Sequence, residues 1–112
     1  DVNEVIIPAY EGEMGILKDH ISIISFLKPG IVKVISKNSE KKFFVEDGIV
    51  EFKDNSLSIL TSSIFNLDEI DKNLINEIIL SSEKELLEEN IDDQKRFLIT
   101  QKIQVLKNIT LN

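Results

Sequence analysis

Phe43-Phe44-Val45-Glu46-Asp47-Gly48-Ile49-Val50-Glu51-Phe52 sets two apolar clusters on either side of an Asp-Gly pair. Short runs rich in aromatic and β-branched residues read as strands. Asp47-Gly48 between them predicts a tight hairpin, because glycine accepts the positive φ that two-residue turns require. The same texture extends outward from Val2 to about Phe65, with clusters of apolar residues parted by Gly, Pro, Asn, Asp and Ser. Candidate strands are Val2–Ile7, Met14–Leu17, Ser22–Leu27, Ile31–Ser36, Lys42–Glu46, Ile49–Lys53 and Leu57–Thr61. Pro29-Gly30, Lys37-Asn38-Ser39, Asp47-Gly48 and Asp54-Asn55 supply the turns.

Alternation is clearest in Ile31–Ser36 and Ser56–Leu60, and both carry extra apolar residues on the nominally polar face. Such strands are expected to be covered on both sides. Many short strands at this spacing predict a β-sandwich or small barrel.

After Asn66 the period lengthens to that of a helix. Leu74, Ile75, Ile78, Ile79, Leu86 and Leu87 line one face, interrupted by Ser81-Ser82. Asn90-Ile91-Asp92-Asp93 breaks this helix, and a second carries Leu98, Ile99, Ile103, Leu106 and Ile109, with Asp92 or Asp93 able to cap its first turn. The expectation is a mainly β chain with C-terminal α: a β-sandwich over residues 1–66 followed by an antiparallel two-helix hairpin over 67–112.

The second helix holds Lys95, Arg96, Lys102 and Lys107 and no acid from Gln94 to Asn112, whereas the first is rich in Glu. Two readings stay open. Opposite charges suit two neighbouring solvated faces and bases favour a helix C-terminus; alternatively the second helix meets an acidic partner.

Composition narrows the function classes. The net charge of −7 argues against sequence-independent nucleic-acid binding, which draws its affinity from Lys and Arg on phosphates. Apolar runs fall far short of the roughly 20 residues that span a bilayer. With no cysteine and one histidine, His20, the chain offers neither thiolate chemistry nor a structural zinc set. No nucleophile-base pair, catalytic acid pair or phosphate-cradling loop stands out, and no cofactor or metal is expected. Asp92-Asp93 and Glu88-Glu89 read as solvated helix ends. A small metal-dependent enzyme would need several histidines.

Gly12-Glu13-Met14-Gly15-Ile16-Leu17-Lys18-Asp19-His20, followed by Leu27-Lys28-Pro29-Gly30-Ile31-Val32, resembles the epsilon subunits of F-type ATP synthases. Phe43 to Glu51 is similar to that family's aromatic strand, paired glycines and valine-rich strand, and Asp68-Glu69-Ile70-Asp71 to its approach to the first helix. Lys18-Asp19 stands where the family has Pro-Gly, Asp47 where it has a glycine, and the helices are rich in Ile and Leu where the family favours Ala. The family also has about 20 residues ahead of the position of Asp1, forming a first strand.

The resemblance implies a non-catalytic subunit of the central stalk, coupling proton flow to ATP synthesis and restraining ATP hydrolysis through a mobile hairpin. It implies a sandwich that binds the gamma subunit and the c-ring, with Glu13 and Met14 toward the c-ring and His20 near gamma. Lys95, Arg96, Lys102 and Lys107 would approach a catalytic beta subunit. The expected location is peripheral, on the cytoplasmic face of a bacterial inner membrane or the matrix or stromal face of an organelle membrane. Some family members bind ATP through a segment matched here by Ile70-Asp71-Lys72-Asn73-Leu74-Ile75, but Leu74 replaces the arginine that would meet phosphate, so weak or absent ATP affinity is expected. A free-standing β-sandwich adaptor with a helical partner-binding hairpin is the alternative.

Overall fold

The computed structural model describes residues 2–17, 19 and 21–109, which fall into two compact units, Asp1–Asp68 and Glu69–Asn112. The first unit contains β1 (Val2–Ala9), β2 (Gly12–Leu17), β3 (Ile23–Leu27), β4 (Gly30–Ser36), β5 (Ser39–Val45), β6 (Gly48–Lys53), β7 (Ser56–Thr61) and β8 (Ile64–Asn66). All pairings are antiparallel, in the order β7-β6-β3-β1-β4-β5-β8, with β2 also paired to β1.

In that order β5 and β6 stand four steps apart, roughly 19 Å in a flat sheet. Yet Val45 of β5 and Val50 and Phe52 of β6 share one buried cluster with Val5, Ile7, Ile16, Leu27 and Val32. The sheet therefore curls until its two halves face each other, and burial of this cluster holds the curl. β1 forms the corner: its first half runs along β4, and Ala9 at its end lies opposite Leu27 of β3. The expected sandwich followed by two helices is the architecture found.

Asp47-Gly48 corrects one expectation, for it is not a hairpin turn. β5 pairs with β4 and β8, whereas β6 pairs with β3 and β7, so the chain crosses here from one half of the sheet to the other. Gly48 does not use a positive φ. It is needed because a Cβ there would overlap the carbonyl oxygen of Leu60 on the adjoining β7. The corner is fastened by Thr61, whose hydroxyl lies 3.1 Å from the Glu46 carbonyl and 3.2 Å from those of Asp47 and Ser63. The Glu46 amide also donates to the Ser63 carbonyl at 3.2 Å.

The positive φ expected of a tight hairpin occurs instead at Asp54 and Asn55 (52° and 58°), which join β6 to β7. Gly12 to Gly15 lie on a strand rather than in a loop, with the turn at Tyr10-Glu11; Gly12 enters β2 at φ 124°, a conformation closed to residues with a Cβ. β8 is an unforeseen strand that pairs with β5. Its Phe65 stacks on Phe44 with ring centroids 6.4 Å apart, and Phe44 is fully buried on the face opposite Val45.

The second unit is α1 (Lys72–Leu86) and α2 (Asp93–Ile109). Asp71 caps α1 by accepting from the Asn73 amide at 2.8 Å, and Asp92 caps α2 by accepting from the Lys95 amide at 2.7 Å. Ile75, Ile79 and Ser82 form the buried face of α1, and Ile99, Ile103 and Leu106 that of α2. Both sets have the i, i+4, i+7 spacing of a helix-helix seam. The buried stripe of α1 is thus narrower than the apolar positions suggest: Leu74 is partly exposed, and Leu87, the C-cap, is 82% exposed.

Candidate protein-interaction surface

The three strands β3, β6 and β7 alternate cleanly. Leu27, Val50 and Phe52 point into the core, so Ile24, Phe26, Ile49 and Leu60 point out. Register makes these outward residues neighbours: Phe26 is opposite Ile49, Ile49 opposite Leu60, and Ile24 opposite Glu51 one row away. Directly paired side chains sit about 5 Å apart, so the four form one continuous apolar surface. Ile24, Phe26 and Leu60 are 69%, 65% and 74% exposed. A contiguous apolar face on an exposed sheet marks a surface that another body covers, a protein partner or a membrane among them. Sequence reading missed it, although the extra apolar residue noted in Ser56–Leu60 is Leu60 itself.

Of the predicted contact residues, Glu13 and Met14 lie on β2, which pairs with β1 and not with β3, β6 or β7. Glu13 is exposed on β2, opposite Pro8, beside the exposed Tyr10-Glu11 tip. Met14 is half-buried and packs against the core cluster, leaving Glu13 the more available of the two. His20 lies outside the described residues. Its neighbour Asp19 takes φ 65°, which explains why a glycine suits that position in the family pattern; Asp tolerates it, and here it is bound as well. The Asp19 amide donates to Asn55 Oδ1 at 2.8 Å and Asn55 Nδ2 donates to Asp19 Oδ1 at 3.0 Å, tying the β2–β3 loop to the β6–β7 turn.

Lys95 and Arg96 are exposed near the start of α2, and Lys102 and Lys107 lie further along it. Arg96 Nη1 donates to the Leu86 carbonyl at 3.5 Å, at the end of α1, and Lys107 Nζ to Glu83 Oε2 at 3.4 Å. These two contacts fit the reading of complementary neighbouring faces. At the segment matched to ATP binding, Asp71 is occupied in capping, and Leu74 offers phosphate no donor.

One end of the sandwich opens into a cavity of about 400 Å³ lined by Val5, Ile16, Val34, Phe52 and Leu57, with Glu4 and Asn55 at its margin. Nothing in that lining assembles a nucleophile and its base. Among the described residues no three His, Asp or Glu are grouped as a metal site would require, and no helix is long and apolar enough to cross a membrane.

Residues 1–66 match the family described as ATP synthase, Delta/Epsilon chain, beta-sandwich domain. The chain belongs to this ATP synthase delta/epsilon family. It is 61% identical over 109 residues to the ATP synthase epsilon chain of Pelagibacter ubique, covering 97% of this chain and 84% of that one. It is 39% identical over 95 residues to the mitochondrial ATP synthase subunit delta of Schizosaccharomyces pombe, covering 83% of this chain and 55% of the relative. The delta/epsilon fold is also matched in two cryo-EM structures. A chain of the Euglena gracilis mitochondrial ATP synthase superposes with a TM-score of 0.68 at 22% identity, over 95% of this chain and 66% of that one. A chain of the Tetrahymena thermophila mitochondrial ATP synthase central stalk and c-ring gives 0.66 at 15% identity, over 98% and 83%.

Proposed function

We propose that this chain is the non-catalytic epsilon subunit of an F-type ATP synthase, riding on the central stalk where it helps couple proton flow to ATP synthesis and restrains ATP hydrolysis. The observation that carries the mode of action is the apolar row Phe26-Ile49-Leu60 with Ile24 beside it, on a domain of the delta/epsilon family. A protein whose exposed features are an apolar sheet face and a charged helix pair acts by contact. The apolar face is assigned to the gamma subunit, and the tip holding Tyr10, Glu11 and Glu13 to the c-ring, which leaves the membrane association peripheral. We place that association on the cytoplasmic face of a bacterial inner membrane or the matrix or stromal face of an organelle membrane.

Titration against the gamma subunit of the same synthase tests the assignment. Phe26 and Leu60 are more than half exposed in the free protein, and covering such side chains stabilises a complex by about 1 to 3 kcal/mol each. The double variant F26S/L60S should therefore lose about a hundredfold or more in affinity while keeping its fold. Equal affinity of variant and parent would move the gamma contact elsewhere, and no binding by the parent would overturn the subunit assignment.

A contact of α2 with an acidic segment of a catalytic beta subunit is the proposed route to restraint. Arg96 and Lys107 would first have to leave Leu86 and Glu83. The Lys107–Glu83 pair is exposed, with 57% and 45% of the two side chains accessible, and exposed pairs of this kind are worth under about 1 kcal/mol. Such exchanges cost little.

A further inference from the structure

Ser82 is the last of the three buried residues on the α1 side of the hairpin seam. It follows Ile75 and Ile79 on the same face of α1 and is 1% exposed, yet its neighbour Ser81 faces solvent. The Ser82 hydroxyl has no hydrogen-bond partner among the described residues. The turn of α1 that follows it meets α2, since Lys107 reaches Glu83 and Arg96 reaches the Leu86 carbonyl. A hydroxyl taken out of water without a partner opposes the packing that buries it, and regains its hydrogen bonds when the packing opens. Set against this are the buried Ile75 and Ile79 on one helix and Ile99, Ile103 and Leu106 on the other, with Ile78, Leu86, Leu98 and Val105 half-buried.

We infer that Ser82 is a built-in release point, a buried unpaired hydroxyl that holds the α1–α2 hairpin close to opening. Packed, the helices bury Ser82; separated, they hydrate it, so this one side chain tilts the equilibrium toward separation. As a statement about regulation the inference rests on the epsilon-subunit reading. As a statement about the hairpin it stands alone.

Amide hydrogen exchange on the free chain separates the two, because it measures seam opening with no partner present. Ser82→Ala should slow exchange at the central seam amides of Ile79, Ile99 and Ile103 by about tenfold or more. Alanine is also the better helix former, so Ser81→Ala, the same change one residue away on the exposed face, is the control. Propensity alone predicts about a twofold slowing there. A slowing at Ser82→Ala well beyond that at Ser81→Ala supports the inference. Equal slowing by the two variants, or no slowing at Ser82→Ala, overturns it. If exchange responds as expected and the chain nonetheless fails to bind gamma, the hairpin device stands and the subunit reading falls.

Discussion

Gly48→Ala is the sharpest test of how the sandwich closes. The added Cβ would overlap the Leu60 carbonyl oxygen and crowd the backbone at Thr61, and neither is a flexible side-chain end able to swing away. Overpacking of this kind costs about 1 to 3 kcal/mol. Because the obstacle is main chain, β6 and β7 must part where Gly48 pairs with Thr61, losing at least one ladder bond worth about 1 kcal/mol. Parting them also draws the Thr61 hydroxyl from the Glu46 and Asp47 carbonyls. The sum is about 2 to 4 kcal/mol, against a stability of roughly 3 to 10 kcal/mol for the unit Asp1–Asp68 at typical per-residue values. With a urea slope near 1 kcal/mol per molar, the midpoint should fall by about 3 M, or the sandwich should be unfolded without denaturant. Amide resonances of β6 and β7, followed through a urea titration, report this unit separately from the helices. Gly15→Ala is the comparison, since its Cβ would meet only the Glu4 carboxylate, the far end of a flexible, half-buried side chain, and should shift the midpoint by under about 0.5 M. Coincident midpoints for the two variants would refute the close-approach argument.

The hairpin yields two further tests. Leu106 is fully buried in α2, and Leu106→Ala should cost about 2 to 5 kcal/mol, enough to melt the helices while the strand resonances persist; helical circular dichroism and amide spectra check this. Replacing Lys95, Arg96, Lys102 and Lys107 together with Gln should relieve inhibition of ATP hydrolysis in a reconstituted synthase; if the neutralised subunit inhibits as well as the parent, charge on α2 is not the means of restraint.

Legibility in the sequence tracked how local each decision is. Asp54-Asn55 and the cap Asp92 were readable because each is decided within a few residues, by tolerance of positive φ or by a side chain reaching its own helix amides. Asp47-Gly48 carries the same local signature as a hairpin, but which strands flank it is settled by the shared burial of Val45 and Val50 and by the Thr61 clamp, residues far apart in the chain. β8 escaped notice because Ile64–Asn66 is too short to show a period, and its Phe65 gains meaning only against Phe44.

The remaining misses share one physical cause. Periodicity assigns apolar residues inward and polar residues outward, so it saw no surface in Phe26-Ile49-Leu60 and treated Ser81-Ser82 as a break in the seam. The fold reverses both: it turns the apolar row to solvent and buries the hydroxyl of Ser82. Neither arrangement stabilises the isolated chain. An exposed apolar row gains free energy only when another surface covers it, and a buried unpaired hydroxyl only when its surroundings open. The two departures from local rule therefore fall where a subunit that docks through one unit and rearranges through the other would carry them, the apolar row on the sandwich and the serine in the hairpin.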